Sequence, residues 1–127
     1  MIEDIFKISD YIRYVAIYRD GQLKKDSKSD TVGTSSSESD KYEELLVNPT
    51  LLKLATQRGN IDCGGMDHIL IRYGNFYQLI WAESWGHVSV CIELNADPLD
   101  IYNDIKINIR NSKTWHMTNH EDGQQTV

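Results

Sequence analysis

The chain has 127 residues, 40% of them apolar, and its 13 basic and 19 acidic residues leave a formal net charge of −6. That length suits one domain around a single core, with more large apolar residues than a disordered chain holds. The acidity argues against a nucleic-acid-binding face, because the densest basic run, Arg19 to Lys28, is broken by Asp20 and Asp26, and no stretch reaches the roughly 20 apolar residues of a membrane span.

The opening segment, Met1 to Phe6, lacks the basic and apolar regions of a secretory signal, so a cytoplasmic protein is expected. Ile2, Ile5, Phe6 and Ile8 recur at near-helical spacing, which predicts a short amphipathic helix over residues 2 to 9. A helix that short is marginal alone and must be held by packing. Tyr14 to Tyr18 is β-branched and aromatic, as strands are, and Asp20-Gly21 is a hairpin signal that returns the chain along Gln22 to Lys25. Ser27 to Ser39 holds serine, threonine, glycine and charge, the composition of a long loop or contact segment.

Asp40 can cap the next helix, with Glu43 completing a capping box. Asn48-Pro49 interrupts it, so residues 41 to 58 form either two short helices or one kinked helix, with Gly59 as the C-cap. Leu51, Leu52, Leu54 and Ala55 are expected along one side of its second half. After a glycine-rich loop, Asp67–Tyr73, Phe76–Ala82 and His87–Leu94 read as three strands joined by turns so short that they must run antiparallel. The first two carry large apolar residues on both faces, which requires cover on both sides. Asp97 caps and Pro98 opens a final helix with the apolar stripe Leu99, Ile101, Tyr102, Ile105 and Ile109. The remainder, residues 111–127, is a polar tail expected to fray, with Trp115 and Met117 as its substantial anchors. The fold class is therefore α+β: one five-stranded antiparallel sheet flanked by helices, in the order helix, two strands, helix, three strands, helix.

The chemistry-bearing residues form no defensible active site. Gly59 to Gly65 lacks the lysine and hydroxyl of a nucleotide-binding loop and precedes a strand rather than a helix. Cys91 reads as a small buried residue and Cys63 as an exposed one without an activating neighbour. Cys91 and His87 share a strand face but lie about 13 Å apart, too far for a nucleophile and its base. His116 and His120 have helical spacing for a metal but no third ligand beside them, and His68 and His87 begin strands and look like edge residues. No catalytic residue, metal or cofactor is expected. Aromatic and leucine side chains point instead to a surface for a partner. Tyr73, Tyr77, Trp81 and Trp85 gather around two adjacent strands, and Leu45, Leu51, Leu52 and Leu54 exceed what one core contact needs.

Tyr14 to Leu23, with its apolar strand, Asp-Gly turn and outgoing strand, and Trp85 to Ile92, with its glycine and apolar strand before the last helix, resemble the Roadblock/LC7 family of the profilin-like and longin-like group. The resemblance covers residues 1–110, and the longer Ser27–Ser39 segment and the interruption at Asn48-Pro49 depart from it. It implies a homodimer or heterodimer in which the second helix and the strand carrying Ile69 and Ile71 meet their counterparts. It also implies a non-enzymatic adaptor or regulator, with a small Ras-like GTPase as one class of partner. Two other functions fit the composition: a profilin-like sensor module binding a small ligand between sheet and helices, and an acidic effector-binding adaptor resembling secretion chaperones.

Overall fold

The computed structural model describes residues 1–28 and 37–110, apart from the side chains of Ser37, Ile109 and Arg110. It contains a single five-stranded antiparallel sheet with helices, in the element order read from the sequence. Helix α1 (Ile2–Phe6) leads into strands β1 (Ile12–Arg19) and β2 (Gln22–Ser27), joined at Asp20 and Gly21, both of which have positive φ. A helical segment follows, made of α2 (Ser37–Tyr42), a π turn (Glu43–Val47) and α3 (Asn48–Asp62). The meander β3 (Ile69–Arg72), β4 (Tyr77–Glu83) and β5 (Gly86–Ile92) precedes α4 (Pro98–Arg110).

Across the sheet the order is β2-β1-β5-β4-β3, so the last strand of the chain lies at its centre. The registers decide which side chains share a face, because opposed residues in an antiparallel pair point the same way. Val15 opposes Val90, Ile17 opposes Val88, and Val90 and Val88 oppose Leu79 and Trp81. This face is closed by Ile5 from α1 and by Ile101, Tyr102 and Ile105 from α4 in one continuous buried cluster. Each such aliphatic side chain, fully buried, contributes about 1.5–3 kcal/mol. Asp97 caps α4 as expected, its Oδ1 accepting from the backbone N–H of Leu99 and Asp100 at 3.1 and 3.3 Å.

The opposite face carries Tyr14, Ala16 and Tyr18 of β1, Gln78 and Ile80 of β4, and His87, Ser89 and Cys91 of β5. The second helical segment covers it, with Asp40 of α2 bound to Lys25 of β2 at 3.3 Å and α3 packed near β4. Both sides of the sheet are therefore covered by helices of the same chain.

Several boundaries differ from those expected. The second helix starts at Ser37, so Asp40 lies inside it and is engaged by Lys25 rather than capping an end. Of the two arrangements expected around Asn48-Pro49, the segment is continuous rather than two separate helices. Proline removes a donor and crowds the preceding turn, and the chain passes it by widening that turn. The Asn48 N–H bonds Glu43 O, five residues back, and the Thr50 hydroxyl donates to Leu46 O at 2.6 Å. Gly59 is not the C-cap, since α3 runs on to Asp62. The chain folds back over Gly59, and a Cβ there would lie 2.9 Å from Gly65 O. Gly86 opens β5 at φ +155°, where a Cβ would lie 1.8 Å from Tyr18 O, so the centre of the sheet depends on that glycine. The expected Ser27–Ser39 loop is described only at its ends, where Ser27 closes β2 and Ser37 opens α2. The expected tail from Asn111, with His116 and His120, lies outside the described residues.

Candidate functional site

The helical segment from Ser37 to Asp62 has an unusual division of side chains. Glu44, Asn48, Leu52 and Gly59 are buried at spacings of four, four and seven, an inward stripe in which Leu52 is the one large aliphatic side chain. Facing outward are Tyr42 (62% exposed), Leu45 (52%), Leu46 (52%), Leu54 (61%) and Ile61 (76%). An isolated exposed leucine is ordinary, but five large apolar side chains on the outside of one helix form a surface that calls for cover.

What holds this helix on the sheet is polar. Glu44, fully buried, accepts from His87 Nε2 at 2.8 Å and Asn48 Nδ2 at 3.0 Å on Oε1, and from the Tyr14 hydroxyl at 3.3 Å on Oε2. One carboxylate thus joins β1, β5 and its own helix, and its lone pairs are used, as a buried charge requires. His87 also stacks on Tyr18 with ring centroids 5.6 Å apart. Alongside, Gln78 Nε2 donates to Ser89 Oγ at 2.9 Å within the same layer. The π turn places Glu44 and Asn48 on the sheet side while their neighbours Leu45 and Leu46 face away.

Beside this network a cleft of about 370 Å³ opens between the start of the helix and the sheet, lined in part by Tyr14, Glu43, Glu44, Gln78 and the β3–β4 turn. Negative charge is concentrated there. Burial, and then Glu44, push the Glu43 carboxyl up from its ordinary range. The Tyr73 hydroxyl, bonded to Glu43, is raised by burial and by Glu43, while Tyr14 is raised by burial, Glu44 and Asp40. Burial followed by Glu44 and Glu43 raises the Cys91 thiol, which keeps it a neutral interior group.

The residues singled out from the sequence fall into different environments. Leu45 and Leu54 are exposed and Leu51 is half-buried, but Leu52 lies under the helix against the sheet, so the leucines do not share one side. Ile69 and Ile71 are half-buried on the face that carries the second helix. Tyr73 is 36% exposed. Tyr77 and Trp81 point to the other face, where Trp81 packs on Tyr102 with centroids 5.3 Å apart and Trp85 lies under the Arg19 guanidinium. The aromatic residues therefore do not form one cluster: the strand alternation sends Tyr73 to one side and Tyr77 and Trp81 to the other.

His68, beside the outer strand, pairs with Asp67 at 3.1 Å, as an edge residue can. His87 is not an edge residue. Its strand is central, and the ring is 3% exposed against Glu44. Cys63 is exposed and Cys91 buried, as expected, and Cys63 contacts Asp62 and Arg58 rather than His68. Among the described residues no group of three His, Cys, Asp or Glu side chains could hold a metal, and no helix is long and apolar enough to cross a membrane. Sequence reasoning missed Glu44, Asn48 and His87. Their signal was Glu44 and Asn48 at helical spacing four, which becomes informative only once β5 is known to be central.

The two edges of the sheet differ as well. β2 exposes Lys24 and Asp26, charges that discourage strand addition. β3, at the other edge, reads Ile69-Leu70-Ile71-Arg72 and pairs only with β4 among the described residues. Comparison with protein-family models, curated proteins and solved structures finds no match for this chain.

Proposed function

We propose that this chain is a non-enzymatic cytoplasmic adaptor that acts as a dimer, joined through the outer surface of the second helical segment and the β3 edge, and offers the resulting surface to a partner protein. The observation that carries this reading is the outward set Leu45, Leu46, Leu54 and Ile61 on a helix whose inward face is largely polar. A second copy is the occupant favoured by the β3 edge. A two-fold axis perpendicular to the sheet would set Leu70 opposite the partner's Leu70 and Ile69 opposite the partner's Ile71, so that opposed side chains share a face. The same axis preserves the face of the sheet, so both helices would stand on one side and cover each other's leucines. The resemblance to Roadblock/LC7 proteins makes a small Ras-like GTPase the first partner class to try.

Light scattering at micromolar concentration tests the dimer. Wild type should behave as a dimer, and Leu54→Glu should shift it to monomer while leaving the circular dichroism spectrum intact. A dimer untouched by Leu54→Glu and by Leu45→Glu would remove the helix from the seam. Leu52→Glu is unsuitable, because Leu52 is interior within the single chain. A second reading, a small-ligand-binding module, is favoured by the cleft beside Glu43 and Glu44.

A further inference from the structure

Two acceptors in the wall of the cleft lack a donor. Glu43 Oε2 is shut off from solvent without a partner. Gln78 is 2% exposed, lines the cleft, donates Nε2 to Ser89, and receives no hydrogen bond on Oε1 among the described residues. Behind them stands Glu44, already fixed by His87, Asn48 and Tyr14. Among the described residues the cationic side chain in the wall is Arg13, whose NH1 lies 3.3 Å from both Glu93 Oε1 and Asn75 O and whose guanidinium sits 5.2 Å from the centre of the Phe76 ring. What the cleft offers is two acceptors short of a donor beside the Tyr73 and Phe76 rings, with Ser27 and Asn75 at its wall.

We propose that this cleft binds a small organic cation, an alkylguanidinium or alkylammonium group, with Glu43 as the carboxylate that receives it and Gln78 Oε1 as its second acceptor. A guanidinium has several N–H donors, which match the two open acceptors, and its plane can lie against Tyr73 or Phe76. A cleft of about 370 Å³ lies in the range of small-molecule sites. Burial first, and then neighbouring carboxylates, raise the titration of Glu43, Tyr73 and Cys91, with Arg13 pulling Cys91 the other way. Glu44 acts through position: anchored on β1 and β5, it holds the π turn that presents Glu43.

This inference deepens the small-ligand reading and is independent of the dimer, so it is measured on wild type and on Leu54→Glu alike. The probes are n-butylguanidinium and its neutral isostere n-butylurea, titrated by calorimetry and by thermal shift at low salt. Saturable binding of butylguanidinium in the range of about 1 mM or tighter is expected, with butylurea binding at least about tenfold more weakly. Glu43→Gln, which keeps the shape and removes the charge, should weaken butylguanidinium by about tenfold while its own thermal midpoint stays at or above that of wild type. The proposal is overturned if butylguanidinium shows no saturation below about 10 mM, if butylurea binds equally well, or if Glu43→Gln binds as tightly as wild type. Loss of the dimer with retained cation binding would sink the seam and leave the cleft standing; the reverse result would do the opposite.

Discussion

The two faces of the sheet solve the same covering problem with different chemistry. On one, Val15, Ile17, Leu79, Val88, Val90 and Ile92 meet Ile5, Ile101, Tyr102 and Ile105, and apolar burial does the holding. On the other, the helix over Tyr14, Gln78, His87 and Ser89 is tied down by Glu44 and Asn48, while Leu45, Leu46 and Leu54 point away. Apolar contact is non-directional and tolerates small shifts, whereas a buried carboxylate with three donors fixes one position. A helix held by a polar anchor can therefore spend its leucines on an outer surface. The first face is occupied with stability, and the second leaves large apolar side chains on the outside.

The largest effect expected from disturbing this contrast is on the apolar face. Ile105→Ala removes a fully buried side chain and should cost about 2–5 kcal/mol in urea unfolding. Glu44→Ala comes next, at about 2–3 kcal/mol, because it leaves the His87, Asn48 and Tyr14 donors buried without their acceptor. A loss near zero there would mean that the helix is not held by the polar anchor. Leu54→Glu should change the stability of the isolated fold by no more than about 0.5 kcal/mol while abolishing association, which separates the outer face from the inner one.

The smallest effect concerns pH. Glu43 titrates higher in the folded chain than in the unfolded one, with burial, Glu44 and Asp40 raising it and the Tyr73 hydrogen bond pulling the other way. The folded state thus holds that proton more tightly, so the Glu43 contribution favours folding in acid and is lost as pH rises through its folded titration. Asp67 has the opposite sign. His68, Tyr102 and Lys106 hold its carboxyl below the usual range, so its small contribution is present at neutral pH and lost in acid. Thermal midpoints of wild type and Glu43→Gln, compared at about pH 4.5 and pH 7, should show the variant gaining relative to wild type at the higher pH.

Much of the fold was legible because local signals agreed with one another. Asp20-Gly21, Gly74-Asn75 and Ser84 to Gly86 mark the tight connections, and Asp97-Pro98 marks the start of the last helix, where the cap is found. The candidate site was much less legible. The local rule at Asn48-Pro49 left open two short helices or one kinked helix, and the π turn keeps the segment continuous because Glu44 and Asn48 are fixed by the sheet. The sides of the leucines depended on that turn, since one extra residue in a helix rotates everything beyond it by about 100°. His87 looked like an edge residue because strand order across a sheet is not written locally, and only the pairing of β5 with both β1 and β4 places it in the interior.

Sedimentation equilibrium across roughly 1–100 μM tests the central claim, that the outward leucines are covered by a second copy. The account predicts a species of twice the 14.6 kDa chain mass, reverting to a single chain in Leu54→Glu. A wild-type mass of one chain throughout that range would contradict it.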